Sequence, residues 1–197
     1  MPGANDRSWD YLLIGGPSGI GKSSIAYAIA RRFGIALTEV DDLFVVAETL
    51  TSAATHPALH YWSTHPEAPK LSAPEILQRQ LDVCQAMSPA IVPVVENHVE
   101  TEMPFIIEGD FINPAVAHAV QTHARTRAAF LIEPEVGQIV ASFARREPDA
   151  GEQTKRAEVS VLFGDWLQAE CAKFGIAIVT SRPWDTAIDR LLDAIAD

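Results

Sequence analysis

Short apolar runs alternate with stretches of helical periodicity along most of the chain. Asp10-Tyr11-Leu12-Leu13-Ile14-Gly15, Ile35 to Val40, Phe105-Ile106-Ile107-Glu108, Ala128 to Ile132 and Ile176 to Val179 are compact and often β-branched. That composition suits strands buried on both faces. Between them, apolar residues recur every three or four positions. Ile25, Ile29 and Phe33 share one helical face before Gly34, and Val136, Ile139, Val140 and Phe143 make a second. Val159, Leu162, Phe163, Trp166 and Leu167 make a third, closed by Gly175, and Ile188, Leu191, Leu192 and Ile195 a last one. Strand and helix in alternation predict an α/β chain built on a parallel sheet.

Residues 44–103 interrupt the alternation. They hold no convincing strand and several helical stretches punctuated by proline, with Ile76, Leu77, Leu81, Cys84, Met87 and Ile91 as a candidate apolar face. We read this as a helical insertion within a single domain spanning 1–197. Falling between the second and third strands, it would stand over the ends of the sheet, where α/β proteins bind their ligands.

One motif changes the picture. Gly16-Pro17-Ser18-Gly19-Ile20-Gly21-Lys22-Ser23, followed by Ser24, lies directly between the first strand and the first helix. Its glycines let the backbone curl until successive amides point inward at phosphate oxygens, Lys22 adds a movable positive charge, and Ser23 offers a hydroxyl to magnesium. The helix starting near Gly21 brings its positive dipole end to the same anion.

Charge narrows the partners. The net charge of −11, from 26 acidic and 15 basic residues, argues against a nucleic-acid surface. Cys84 and Cys171 show neither metal spacing nor a disulfide framework, which suits thiols in a reducing compartment. Met1 to Arg7 carries no signal-type apolar stretch and no segment reaches spanning length, so the expectation is a cytoplasmic monomer or homodimer without membrane partners.

Phosphoryl transfer also needs carboxylates and further cations. Asp41 and Asp42 follow the second strand, where parallel sheets present ligand-binding groups. One would hold a magnesium-bound water and the other orient the acceptor, or the pair marks a turn and a helix start. Glu108 and Asp110 flank Gly109 beyond the third strand as further candidates for metal or substrate. Arg145-Arg146 and Lys155-Arg156 bracket a polar, turn-rich stretch that reads as a lid over 145–157, or as helix-end cations complementing a dipole. Arg182 and Pro183, after the fifth strand, are placed to meet a nucleobase, with Trp184 as an anchor for the last helix. His60 and Trp62, within a cluster with His56, Tyr61 and His65, suggest a polar and aromatic acceptor pocket, or solvated loop residues.

With these residues in place, the chain resembles the P-loop small-molecule kinases of nucleoside-monophosphate-kinase architecture, and more loosely their 2-phosphoglycerate kinase and chloramphenicol phosphotransferase-like members. The resemblance rests on Gly16 to Ser23, Asp41-Asp42, Ile107-Glu108-Gly109 and Arg145-Arg146 in that order. It implies a three-layer P-loop NTPase fold with a five-stranded parallel sheet, ATP with Mg2+, and transfer of the γ-phosphoryl group to a small-molecule acceptor. Lys22, Asp41, Asp42, Arg145 and Arg146 would then act in catalysis, and Ser23 and Asp41 would serve the metal. The competing reading is a regulatory nucleotide-binding ATPase with no small-molecule acceptor.

Overall fold

A computed structural model describes residues 7–196, so the reading of residues 1–6 lies outside the described residues. The strands are β1 (Tyr11–Gly15), β2 (Ala36–Glu39), β3 (Phe105–Gly109), β4 (Thr126–Ile132) and β5 (Ala177–Thr180). They form one parallel sheet in the order β2-β3-β1-β4-β5. β1 and β3 are buried throughout and β4 nearly so, as their unbroken apolar runs require, while the edge strands β2 and β5 are partly exposed.

The helices are α1 (Lys22–Phe33), α2 (Val40–Leu50), α3 (Tyr61–Thr64), α4 (Ala73–Glu100), α5 (Pro114–Val120), α6 (Val136–Arg146), α7 (Thr154–Phe174) and α8 (Ala187–Ala194). Successive strand residues point to opposite faces and so build two cores. Leu13, Ile107 and Phe130 meet α4, α5 and the later turns of α7, whereas Leu12, Ile106 and Leu131 meet α1, α6 and α8. Each fully buried side chain of this size contributes roughly 1.5–3 kcal/mol, and the two layers leave no face of the central strands open.

One expectation is corrected. β2 ends at Glu39, and Val40 already belongs to α2, so Asp41 and Asp42 occupy a first helical turn and not an extended strand end. The positive end of the helix dipole favours their charge there. The candidate apolar face from Ile76 to Ile91 lies on α4, a single helix of 28 residues that runs through Pro89 and Pro93. Its buried face of Val83, Cys84, Met87, Ile91 and Val95 packs against the sheet. That burial offsets the hydrogen bonds proline cannot donate. α4 starts at a capping box, in which the Ser72 amide donates to Glu75 at 2.8 Å.

Among the described residues no helix is long and apolar enough to cross a membrane. Cys84 and Cys171 are free and buried, and desolvation pushes the Cys171 thiol up to about 12 and that of Cys84 higher still. Neither forms a reactive thiolate at neutral pH.

Candidate functional site: a glycine loop between two cavities

In-register parallel pairing sets Gly15 beside Gly109 and Phe130, so the chain leaves β1, β3 and β4 at one edge of the sheet. From β1 it enters the glycine loop and then α1. Gly21 caps that helix with φ of 93°, a left-handed conformation that glycine adopts without strain. A side chain there would also collide with the Trp184 ring, which occupies that space. The loop and the start of α1 border a cleft of about 600 Å3, lined from Ser18 through Ser24.

Lys22 is only 6% exposed. Its ammonium donates to the Pro17 carbonyl at 3.0 Å and pairs with the Asp110 carboxylate, so the loop lysine is held at two points. Glu108, the penultimate residue of β3, is buried and borders the same cleft. Desolvation raises its carboxyl above the usual carboxylate range, with Lys22 and a hydrogen bond from Ser23 pulling the other way. Asp41 reaches the cleft from α2 and is raised too, by desolvation first and then by Asp110, against Lys22. Three carboxylates thus converge near one lysine and one hydroxyl. An added cation would relieve their repulsion.

The opposite wall comes from α6. Gln138, Ser142 and Arg145 line the cleft at helical spacing, together with Arg146, while Ile139 and Phe143 on the other side of the helix are buried. Arg146 donates to Glu147 at 2.7 Å and Arg156 to the same carboxylate at 2.8 Å, and the two arginines pull the Glu147 carboxyl down to about 2 with help from Gln153. Arg156 also stacks on Phe143, 4.1 Å from its ring centre. Arg146 and Arg156, one from each basic pair, are therefore tied across the turn by one half-buried glutamate.

The loop after β5 completes the cleft. Ser181 holds it, accepting burial by donating its amide to Ile132 at 2.8 Å and its hydroxyl to Glu133 at 3.0 Å. Arg182 then lies 5.0 Å from the centre of the Trp184 ring, and both line the cleft. The Arg182 Nη1 is buried without a hydrogen-bond partner among the described residues. Trp184 is 44% exposed, so it does not anchor α8 in the core. The packing it provides is against Gly21.

A second cavity of about 420 Å3 adjoins the first, and Ser18 and Asp110 line both. Ile76 and Gln80 of α4 form one wall and Val159, Ser160 and Phe163 of α7 another. Ser160 donates its hydroxyl to the Ser18 carbonyl at 3.0 Å, and Lys155 donates to the carbonyls of Pro69 and Leu71, tying the walls together.

Not every candidate reaches these cavities. Asp42 is exposed on α2 and lines neither. His60 bonds Thr51 at 3.0 Å, joining the end of α2 to α3, and Trp62 packs edge-on against Tyr61. Pro183 turns its carbonyl to Arg190, and Gly16 and Pro17 line neither cavity. Sequence reasoning passed over Gln138 and Ser142, although the polar spacing 138, 142, 145 on an amphipathic helix was a usable signal. It also passed over the second cavity, whose walls lie some 80 residues apart in sequence.

The described residues hold no ready cluster of three metal-ligating side chains. The oxygen donors Ser23, Glu108 and Asp41 nevertheless fit magnesium, which keeps several waters and takes its other ligands from phosphates.

No protein-family model and no curated protein sequence matches the chain. Solved structures do. A gluconokinase from Sinorhizobium meliloti superposes with a TM-score of 0.58 at 15% identity, covering 95% of this chain and 92% of that one. A shikimate kinase from Aquifex aeolicus gives 0.51 at 18% identity, covering 93% and 95%, and one from Bacteroides thetaiotaomicron 0.53 at 12%, covering 93% and 96%. Across almost its whole length, the chain has the α/β P-loop NTPase fold in the form found in small-molecule kinases.

Proposed function

We propose that the protein binds ATP in the larger cleft and transfers its γ-phosphoryl group to a small molecule held in the second cavity. The observation that carries this reading is the meeting of the two cavities at Ser18 and Asp110, beside the glycine loop. A nucleotide switch needs only the first cavity. The second supports transfer.

The loop amides and Lys22 would grip the phosphates, and Arg182 with Trp184 would border the base. Arg145 and Arg146 face the charge that spreads over the transferred group, in a site from which the 145–157 segment excludes water. Ser23 would ligate Mg2+ directly, with Glu108 and Asp41 holding its waters. The ion would neutralise phosphate charge and hold the chain of oxygens in line. Residues 69–80 of the inserted segment supply the acceptor wall, in keeping with a single domain working in the cytoplasm. The likeness to the 2-phosphoglycerate kinase and chloramphenicol phosphotransferase branch belongs to this proposal and rests on sequence motifs alone.

The test is a screen of sugars, polyols, amino alcohols, carboxylates and nucleoside monophosphates for ADP release above the rate with water alone. Acceleration by one compound class, with a phosphorylated product, supports transfer. Mg-ATP binding with no acceleration by any class favours the regulatory ATPase.

A further inference from the structure

Among the described residues, Asp110 is the one carboxylate that borders both cavities. It follows β3 directly, its backbone carbonyl accepts the Cys84 thiol at 3.5 Å, and its side chain is 23% exposed while paired to the buried Lys22. Asp41 and Glu108 border the larger cleft alone. Resting on the functional reading above, we infer that Asp110 receives the proton of the acceptor and that Lys22 caps it until nucleotide binds.

The chemistry follows from the placement. A lysine held by a carboxylate and one carbonyl leaves them for a polyphosphate of higher charge. Its departure uncaps Asp110 at the boundary across which the phosphoryl group must pass. An acceptor oxygen in the second cavity then attacks the γ-phosphorus. The new O–P bond forms as the bond from phosphorus to the bridging oxygen breaks, ADP leaves with that electron pair, and the acceptor O–H proton passes to Asp110. This arrangement selects the acceptor. A hydroxyl has a proton to give, whereas a phosphate or carboxylate nucleophile brings a negative charge against Asp110 and gains nothing from a base.

The experiment compares the full chain with Asp110→Asn and Asp110→Glu, each checked for folding by circular dichroism. Calorimetry with Mg-ATP should show Asp110→Asn binding about 3- to 10-fold tighter than wild type, since Lys22 no longer has to leave a carboxylate. ADP release should fall roughly 100-fold or more in Asp110→Asn, with water as acceptor and with any alcohol found by the screen, and recover in part in Asp110→Glu. Unchanged or weaker ATP binding overturns the cap, and ADP release within about threefold of wild type overturns the base. A best acceptor that reacts through a phosphate or carboxylate overturns it as well. Wild-type protein that binds no Mg-ATP brings down the functional reading itself, an outcome distinct from these.

Discussion

Gly19 of the glycine loop rests on Phe143 of α6. A Cβ at Gly19 would come within 2.6 Å of the ring, and the residue's φ of 82° disfavours any side chain. The same ring carries Arg156 on it, so one phenylalanine joins the glycine loop to the proposed lid segment. Gly19→Ala should fold with a loss of about 1–3 kcal/mol and bind Mg-ATP at least about tenfold more weakly, because relief of the clash displaces the loop amides. Thermal melts and calorimetry on the same preparation check both effects. A variant with unchanged ATP affinity would show that the loop does not depend on this contact.

Glu108→Gln should raise stability and lower activity together. Burial lifts the folded pKa of Glu108 above its unfolded value near 4.5. Its contribution is therefore fully present below that pH and is lost as pH rises through the folded pKa. Without nucleotide, the variant, which does not titrate there, should gain in Tm over the wild type as pH rises from about 4 to about 7. ATP turnover in Mg2+ should drop by more than about tenfold. A variant destabilised at both pH values would mean that the carboxylate holds the fold together.

Glu147 provides a test of the lid. Its carboxyl is drawn down to about 2 by Arg146, Gln153 and Arg156, so its tie is intact above the ordinary value of 4.5 and is lost as pH falls toward 2. Glu147→Gln should release both arginines at neutral pH and speed tryptic cleavage within 145–156. Nucleotide should slow that cleavage again, because phosphates replace the missing carboxylate as a partner. Equal cleavage rates in the two proteins would show that this glutamate restrains nothing.

Trp184 lines the larger cleft, the proposed nucleotide site, with Arg182. Mg-ATP should change the intrinsic fluorescence of the wild type, and Trp184→Phe should remove most of the change, although Trp9, Trp62 and Trp166 remain. A full response from Trp184→Phe would place the nucleotide elsewhere.

The parts legible from the chain were those written locally. β1, the glycine loop and α1 are contiguous, and each is specified by its own residues: the apolar run, the glycines that accept positive φ, and Gly34 as a left-handed stop. The boundary at Glu39 was harder. Val40 continues the β-branched run, and Glu39 caps α2 without a side-chain hydrogen bond to mark the start. The continuity of α4 through Pro89 and Pro93 depends on tertiary burial, which no local signal carries. Asp41 and Asp42 looked equivalent as a pair; a helical turn directs them differently, and only Asp41 reaches the cleft. The second cavity arises where α4 meets α7, a juxtaposition set by the sheet order and invisible in either segment alone.

The central claim is that Lys22 and its loop hold a nucleotide's phosphates, and calorimetry of Mg-ATP binding to wild type and Lys22→Ala tests it most directly. The account predicts wild-type binding with Kd below about 1 mM and a loss of at least about 30-fold in a folded Lys22→Ala. No heat with the wild type, or equal affinity in the two proteins, would contradict it.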